Sequence, residues 1–302
     1  MTVLEAIQKS ADFLARKGVE SPRLQAELLL AHLLKMPRMK LYLNFERTLT
    51  PAEADLLRGF VKHRGQREPL QHIVGSTSFC GLEIVVNRHA LVPRPETEVL
   101  AELGWKFLTA LGQTPRPASG HPFPAKQGEG WGAERALDLG TGTGCIAIAL
   151  AVKCPGVKVV ATDISAEALA LAQENATRNG VADRIEFLQG DGFAALQAAR
   201  FDLIISNPPY IPTTEIATLQ PEVRDFDPRV ALDGGADGLD FYRRLAVGAK
   251  PFLKPDGKIM LEFGDGQAPA IRTIFEAEKW IVEAVREDYS QRARILIAKS
   301  SS

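Results

Sequence analysis

Residues 136–153, ALDLGTGTGCIAIALAVK, decide the fold class of this chain. The segment begins with a short apolar run, ALDL, typical of a buried β-strand, and ends with CIAIALAVK, which is apolar over the length of a helix. Between them three glycines alternate with other residues, which allows a tight turn and lets a ligand approach the backbone without meeting a Cβ atom. A strand, a glycine-rich turn and a helix in this order predict one unit of a parallel α/β sheet.

The same alternation continues downstream of this segment. Further strands are predicted at residues 158–165, 184–191, 201–206, 258–263, 280–288 and 293–300. With residues 136–140 they make seven strands, the last two of which read as an antiparallel pair. We therefore predict the α/β class: a mostly parallel, seven-stranded, Rossmann-like sheet covered by helices on both faces. Ligands of such sheets bind at the carboxyl ends of the strands.

The first part of the chain, residues 1–73, predicts a small all-α domain. Apolar residues recur at helical spacing, and Thr50 and Glu53 form the signature of a capping box at a helix start. Lys and Arg number 12 against 8 Asp and Glu over positions 1–72, so this region is mildly basic. The rest must be acidic, because the whole sequence has a formal net charge of −1.

Two further regions follow the helical one. Residues 74–90 contain an alternating apolar segment that predicts a β-hairpin linker. Residues 91–302 hold the predicted sheet and form the second domain. Within it, residues 112–135 contain four prolines and five glycines without periodicity, which predicts a flexible surface insertion.

Composition excludes several classes of protein. Hydrophobic residues make up 45% and charged residues 24%, ordinary values for a globular chain, and the near-neutral charge argues against a protein built mainly to bind nucleic-acid phosphates. Three cysteines without a CxxC pair argue against a disulfide framework or a zinc knuckle, and the five histidines lack metal-ligand spacing. No apolar run approaches about 18 residues, so we expect a cytoplasmic protein with no metal and no membrane association.

The glycine-rich turn and the ends of the next two strands predict a nucleoside site. The spacing GxGxG differs from the GxGxxG of dinucleotide-binding proteins, and Asp138 stands two residues before the first glycine. Asp163 ends the next strand and can accept two hydrogen bonds from ribose hydroxyls, and Asp191 after the third strand is placed near an adenine. Acids without a Lys or Arg for phosphate fit S-adenosylmethionine better than NAD, which disfavours a dehydrogenase. The predicted cofactor residues are Asp138, Gly140, Thr141, Gly142, Thr143, Gly144, Asp163, Asp191 and Gly192.

The second motif, Ser206-Asn207-Pro208-Pro209-Tyr210, ends the predicted strand FDLIIS. Two prolines force an extended, stiff segment and leave the Pro208 carbonyl as an acceptor with no backbone donor beside it. The Asn207 side-chain oxygen is a second acceptor, and the Tyr210 ring offers a flat surface for stacking. Two acceptors at a rigid corner match the two N–H bonds of a planar NH₂ group, whose nitrogen then points its lone pair at an incoming methyl group. The alternative is a Pro-Pro turn that only ends a strand.

Several segments of the sequence resemble the release-factor glutamine methyltransferases, the PrmC/HemK family. The segments are EPLQHIVGSTSFCGLEIVVNRHALVPRPETEVL, DLGTGTGCIAIAL, SNPPYI and EVRDFDPRVALDGGADGLDFYR. The resemblance implies a class I methyltransferase domain that uses S-adenosyl-L-methionine, behind a small helical domain that binds the substrate. It also implies methylation of the amide nitrogen (N5) of the glutamine in the GGQ tripeptide of class 1 peptide-chain release factors, with no direct requirement for nucleic acid.

The resemblance assigns roles to individual residues of the second motif. Asn207 matches both a ligand of the substrate amide and a cofactor contact. Pro208, Pro209 and Tyr210 complete the substrate clamp, and the catalytic group is Asn207 with Pro208 and Tyr210. The segment PRPETE, residues 93–98, matches a signature beside the active site without a catalytic role.

For the cofactor, the resemblance matches residues 140–144 to the loop around methionine and ribose, and Asp163 to the ribose-binding acid. The residue that covers the adenine is left open. Family members carry an aromatic residue directly after the third acid, whereas here Gly192 comes first and Phe193 follows.

Other functions stay open from the residues alone. A DNA adenine-N6 methyltransferase acts on an NH₂ group that fits the same clamp, but it must extract a base and bind a duplex, and the basic excess of residues 1–73 supports this weakly. A ribosomal-protein glutamine methyltransferase shares the chemistry, although residues 93–98 favour the release factor. A non-catalytic module with the same fold has no need of the Asn207 clamp.

A basic cluster, Lys62, His63, Arg64 and Arg67, stands out in the helical region. We interpret it as a solvated helix face. The alternative is a patch that meets an acidic face of the release factor or nearby ribosomal RNA.

Overall fold

The computed structural model describes residues 1–113, 134–197 and 199–301, and these divide into two compact units. Unit 1 consists of Met1–Ser76, Val86–Arg88 and Thr218–Asp227, and unit 2 of Thr77–Val85, His89–Ala217 and Pro228–Ser302. The predicted insertion lies almost entirely outside the described residues, since a helix ends at Gln113 and the next strand begins at Arg135. The domain boundaries predicted from the sequence stay a prediction.

Helices and strands are numbered in chain order. The helices are α1 (Val3–Arg16), α2 (Pro22–Leu33), α3 (Arg38–Leu41), α4 (Pro51–Gly65), α5 (Leu70–Val74), α6 (Pro95–Gln113), α7 (Cys145–Lys153), α8 (Ala166–Arg178), α9 (Pro221–Arg224), α10 (Asp240–Gly248) and α11 (Ala268–Ala277). The strands are β1 (Ser76–Phe79), β2 (Leu82–Val85), β3 (Arg135–Leu139), β4 (Lys158–Asp163), β5 (Ile185–Gln189), β6 (Phe201–Ser206), β7 (Leu253–Glu262), β8 (Trp280–Glu287) and β9 (Ala293–Ser300). Within the described part of the chain, no helix combines the length and the apolar character needed to span a membrane.

Unit 1 is built from α1 to α5 together with α9. Its core contains fully buried leucines from three helices, Leu14, Leu29 and Leu41. The capping box predicted at the start of α4 is confirmed: Thr50 N donates to the Glu53 carboxylate at 2.9 Å, and Glu53 N donates to Thr50 Oγ1 at 3.2 Å. These two bonds fix the start of the helix that carries the basic cluster.

The basic cluster at the end of α4 is partly buried within unit 1. Arg64 is 5% exposed, and its guanidinium donates to Glu222 Oε1 at 2.7 Å and to Gln25 Oε1 at 3.0 Å. Arg67 donates to both carboxylate oxygens of Glu222, at 2.7 and 2.6 Å. The prediction of a solvated helix face is therefore wrong for these two arginines. The local pattern could not show this, because their partner comes from α9, far along the chain.

Unit 2 contains the predicted seven-stranded sheet, in the order β5-β4-β3-β6-β7-β9-β8. The five strands β5, β4, β3, β6 and β7 run parallel to one another, and β9 runs antiparallel to both β7 and β8. The central strands are continuous apolar runs because both faces are covered, and every residue of β6 is buried. The predicted α/β class and the small hairpin, β1 with β2, are confirmed.

Close packing fixes α6 against the centre of the sheet. Gly104 in this helix lies so near β6 that an added Cβ would meet Ile205 Cδ1 at 3.0 Å. The first turn of α6 consequently reaches the carboxyl end of β6, where the buried Thr97 contacts Asn207.

Candidate active site

A cavity of about 260 Å³ opens at the carboxyl ends of the central strands of unit 2. The chain order reverses at β3, which lies between β4 and β6, and the crevice at such a reversal is the usual ligand site of an open α/β sheet. The predicted residues that line the cavity are Gly140, Thr141, Gly142, Thr143, Asp163, Asp191, Gly192, Asn207, Pro208 and Pro209. Three predicted residues lie outside its wall: Asp138, Gly144 and Tyr210.

The glycine-rich turn between β3 and α7 is held by the neighbouring strand. Gly140 N and Thr141 N both donate to Thr162 O, at 2.8 and 2.9 Å, and Gly142 N donates to Asp163 Oδ2 at 2.9 Å. Gly140 and Gly142 have φ angles of 74° and 54°, a region that favours glycine. The turn is thus fixed by the protein itself and presents backbone without side chains to the cavity.

Asp138 is fully buried behind this turn. Its Oδ2 accepts hydrogen bonds from Thr141 Oγ1 at 2.6 Å and from Ala147 N at 3.1 Å, so it joins the turn to the first residues of α7. Its Oδ1 is buried without a hydrogen-bond partner in the described part of the chain. Burial raises the pKa of Asp138 to about 7, against the opposing effect of the two hydrogen bonds. A direct contact between Asp138 and the cofactor stays a prediction.

Asp163 stands in the cavity wall, with its carboxylate held by backbone donors. Its Oδ2 accepts from Gly142 N and its Oδ1 from Ser165 N, both at 2.9 Å. Each oxygen keeps a further lone pair for a ligand. The next residue, Ile164, also lines the cavity and is 51% exposed. A fixed acceptor therefore lies beside an apolar surface, the combination that a nucleoside requires.

Asn207 is held at the end of β6 with a defined amide orientation. The buried Ser206 before it donates to Leu139 O at 2.5 Å, which ties the ends of β6 and β3 together. Asn207 Nδ2 donates to Thr97 Oγ1 at 3.0 Å. No described residue donates a hydrogen bond to Asn207 Oδ1 or to the Pro208 carbonyl oxygen. The two acceptors predicted for the clamp consequently have no partner among the described residues.

Glu262, the last residue of β7, belongs to the same cluster and was missed by the sequence analysis. It is 2% exposed, and the side chains of Thr97 and Asn207 lie beside its carboxylate. Burial raises the pKa of Glu262 to about 7, although these two polar neighbours act in the opposite direction. Its Oε2 has no hydrogen-bond partner within the described residues. The signal in the sequence was an acid at the end of the apolar strand KIMLEF.

Comparisons with known proteins cover both units. Residues 5–75 match the family model described as PrmC N-terminal domain, and residues 126–220 match the one described as methyltransferase small domain. A release factor glutamine methyltransferase of Geobacter sulfurreducens is 44% identical over 274 residues, which covers 91% of this chain and 88% of that protein. One from Chlorobaculum tepidum is 38% identical over 297 residues, with 97% and 95% covered. This chain belongs to the release factor glutamine methyltransferase family.

Among solved structures, the hMettl16 catalytic domain in complex with MAT2A 3'UTR hairpin 1 is similar in fold. The TM-score is 0.54 at 18% identity, and 90% of each chain is covered. At this identity the similarity shows the fold alone, which agrees with the methyltransferase fold that the family implies. The predicted enzyme class, a methyltransferase, is confirmed by the family.

Two residues that the family resemblance places at the site have structural roles outside the cavity wall. Gly144 precedes α7 with a φ of 80°, and a Cβ there would lie 3.0 Å from Ala172 Cβ on α8. Tyr210 packs against the core, and its carbonyl oxygen accepts a hydrogen bond from Gln267 Nε2 at 2.9 Å. Burial raises the pKa of Tyr210 to about 12. Contacts of Gly144 and Tyr210 with ligands of this family member stay a prediction.

The third acid of the family pattern has a partner that the sequence did not reveal. Asp191 accepts a hydrogen bond from Arg244 Nη2 at 2.6 Å, and both Arg244 and Phe241 of α10 line the cavity. Phe193 lies outside the wall and stacks on Phe252, with ring centroids 5.0 Å apart. The expectation that the cofactor site contains no Lys or Arg is therefore wrong, although this arginine is already paired.

Proposed function

We propose that this chain transfers a methyl group from S-adenosyl-L-methionine to the glutamine amide nitrogen (N5) of the GGQ tripeptide in class 1 peptide-chain release factors. The observation that carries the proposal is the Asn207 amide. Its nitrogen donates to Thr97, its oxygen has no described hydrogen-bond partner, and both Asn207 and Pro208 line the cavity. Membership of the release factor glutamine methyltransferase family supports the same acceptor.

The acceptor amide would be bound by the corner that follows β6. A glutamine side chain presents an NH₂ group with two hydrogens, and Asn207 Oδ1 and the Pro208 carbonyl offer two acceptors. The bond from Ser206 to β3 and the two prolines keep this corner rigid. With both hydrogens held, the nitrogen lone pair has one direction open to it, which is the positioning that a transfer reaction requires.

The residues around the glycine-rich turn fit the cofactor. The turn at Gly140 and Gly142 would admit the methionine and ribose portions close to the backbone, and Asp163 has lone pairs for the ribose hydroxyls. The exposed side chain of Ile164 gives the adenine an apolar surface, and Asp191 lies in the same wall. When bound, S-adenosyl-L-methionine supplies a methyl group on a positively charged sulfur.

The chain's own contribution is positioning and not strong-base catalysis. Asn207 and Pro208 carry no charge, and the hydroxyl of Tyr210 stays protonated at neutral pH because burial raises its pKa to about 12. An electrophile as strong as a sulfonium methyl does not need a charged nucleophile. The clamp therefore acts by holding the amide in the reactive orientation.

We further propose that unit 1 binds the release factor. It contains the segment that matches the PrmC N-terminal domain, residues 5–75. Around α3, Met39 and Leu43 are 66% and 85% exposed, which offers two large apolar side chains to a protein partner. Arg64 and Arg67 are a poorer candidate for this contact, because Glu222 already pairs with both.

A methyl-transfer assay tests the proposal. Purified enzyme is given radiolabelled S-adenosyl-L-methionine and a purified class 1 release factor, with the same factor carrying GGA in place of GGQ as the matched acceptor. Duplex DNA and a ribosomal-protein fraction are offered in parallel reactions. We expect label in the wild-type factor alone.

Each of the other outcomes would contradict the proposed function or its acceptor residue. Label in DNA would support adenine methylation, and label in ribosomal protein would support the related glutamine methyltransferase. Equal label in the GGQ and GGA factors would contradict the acceptor residue. Measurable cofactor binding without transfer to any acceptor would favour a non-catalytic module.

A further inference from the structure

We propose that Thr97 and Glu262 are positioning residues that orient the Asn207 amide so that its oxygen, and not its nitrogen, meets the substrate. The inference rests on the proposed function, since it concerns how the acceptor amide is bound. Neither residue belongs to the motif after β6. Thr97 comes from α6 and Glu262 from β7, and α6 packs against both β6 and β7.

The orientation follows from the number of donors and acceptors in the cluster. An ionised carboxylate can only accept hydrogen bonds, so Glu262 favours donors, the Thr97 hydroxyl and the Asn207 NH₂ group, on the side that faces it. A Thr97 hydroxyl that donates towards Glu262 leaves its Oγ1 to accept an Asn207 N–H, at 3.0 Å. The Asn207 nitrogen is thereby held on the side of Thr97 and Glu262, and Oδ1 is the atom that remains for the substrate.

This orientation matters because the two ends of an asparagine amide are almost the same in shape. Packing alone does not distinguish them, whereas hydrogen-bond partners do. If the amide were reversed, Asn207 would present its NH₂ group to the NH₂ group of the substrate, two donors would face each other, and one of the two acceptors of the clamp would be lost.

Stability of the fold does not explain Glu262. The side chain is 2% exposed, makes no ion pair with a described Lys or Arg, and has one oxygen without a described partner. A buried carboxylate in this state destabilises the folded protein, and an apolar residue at the end of β7 would avoid the cost. We attribute the presence of this carboxylate to its effect on Thr97 and Asn207, since it sets the direction of their hydrogen bonds.

The Glu262 carboxyl, whose pKa burial raises to about 7, changes its charge near neutral pH. Glu96 of α6 disfavours its charge, and Arg294 of β9 favours it. The hydroxyls of Tyr210 and Tyr242 have raised pKa values, because both are buried, and stay protonated. Once protonated, the Glu262 carboxyl can donate to Thr97, and the direction of the hydrogen bonds is no longer fixed.

The first test compares Thr97→Val with its matched control, Thr97→Ser. Valine keeps the shape of threonine without the hydroxyl, whereas serine keeps the hydroxyl. With release factor and saturating S-adenosyl-L-methionine, Thr97→Val should lower kcat on the order of tenfold to 100-fold, and Thr97→Ser should stay within about threefold of the wild type. The dissociation constant of S-adenosyl-L-methionine, measured by calorimetry, should be unchanged in both.

The second test uses Glu262→Gln and a pH profile, which a residue with only a structural role would not alter. The wild-type kcat should fall as the pH drops below about 7, where Glu262 becomes protonated. The variant should be slow at every pH and should lack this dependence, because its amide side chain does not titrate.

The outcomes separate this inference from the proposed function. If the wild type methylates the release factor and Thr97→Val does so equally fast, the positioning role is wrong and the function stands. A Thr97→Ser variant as slow as Thr97→Val, or an acid limb that persists in Glu262→Gln, would also overturn the positioning role. If the wild type itself transfers no methyl group to the factor, it is the proposed function that fails.

Discussion

Two carboxylates of unit 1, Glu27 and Glu222, are paired with arginines, whereas two buried carboxylates near the cavity of unit 2, Asp138 and Glu262, have no arginine partner among the described residues. Glu27 accepts hydrogen bonds from two arginines and Tyr42, and Glu222 accepts them from Arg64 and Arg67. Burial alone would raise the pKa of both glutamates, but these hydrogen bonds outweigh it and lower the pKa of each. In unit 1 these carboxylates join separate helices: Glu27 joins α2 to the neighbouring α3, and Glu222 joins α9 to the distant α4.

Asp138 and Glu262 lie in the opposite situation. Burial raises the pKa of each to about 7, and each has an oxygen atom without a partner among the described residues. Asp138 is hydrogen-bonded to the glycine-rich turn and to the first residues of α7, and Glu262 lies beside Thr97 and Asn207 of the cavity wall. Perturbed carboxyl groups of this kind concentrate at functional sites, because the fold gains no stability from them. The comparison predicts that substitutions in unit 1 affect stability, and substitutions beside the cavity affect activity.

The largest effect on stability is expected from Glu222→Gln. The change removes the charge that two guanidinium groups share, one of them on Arg64, which is 5% exposed. Removing one partner of a buried ion pair leaves the other charge uncompensated. This should lower the free energy of unfolding by about 3 kcal/mol. Urea denaturation of the full chain measures this. Asp225→Asn, which removes an exposed partner of Arg224 nearby, is the matched control and should leave the midpoint unchanged.

The largest effect on activity is expected from Asn207→Ala. One of the two acceptors of the clamp disappears, so kcat for methyl transfer to the release factor should fall by about 100-fold or more. Circular dichroism and urea denaturation should show an intact fold. Gln173→Ala, at an exposed position of α8, serves as the control and should keep the wild-type rate. Normal methylation by Asn207→Ala would contradict the proposal that Asn207 binds the substrate amide.

Glu262→Gln should also change how stability depends on pH. The folded state keeps a proton on Glu262 up to about pH 7, whereas an unfolded glutamate, with an ordinary pKa of 4.5, loses it earlier. Between these values the folded state binds more protons, so the free energy of unfolding falls as the pH rises. In the variant the fall between about pH 5 and pH 7.5 should shrink by about 2 kcal/mol.

Urea denaturation of both proteins at the two pH values provides the measurement. Asp138 remains in the variant and should retain part of the dependence, since burial raises its pKa in the same direction. An equal fall in the wild type and in Glu262→Gln would mean that Glu262 does not titrate in this range. The contrast with the paired carboxylates of unit 1 would then rest on Asp138 alone.

The sequence predicted those parts of the site that are contiguous in the chain. A glycine-rich turn and a Pro-Pro corner each have a local signature, and the parallel sheet places both at one edge. Glu262 and Arg244 have no such signature. Thr97 lies in residues 93–98, which resemble a signature beside the active site, but its contact with Asn207 could not be predicted, because α6, β7 and α10 approach the end of β6 only in the folded chain. The same reason explains the basic cluster: the burial of Arg64 depends on Glu222, 158 positions away.

Arg244→Ala is expected to have the smallest effect on stability. The pair Arg244–Asp191 has nearly the same N–O distance as the pair Arg64–Glu222, 2.6 against 2.7 Å, but its side chains are 50% and 54% exposed, against 6% and 15%. Water screens an exposed pair, so the free energy of unfolding should change by about 0.5 kcal/mol or less. Urea denaturation beside Glu222→Gln provides the comparison, because the pairs have similar N–O distances and differ in burial and in the number of arginines, two for Glu222 and one for Asp191. A loss as large as that of Glu222→Gln would show that exposure does not decide the strength of these pairs, and the distinction between the two units would then need another cause.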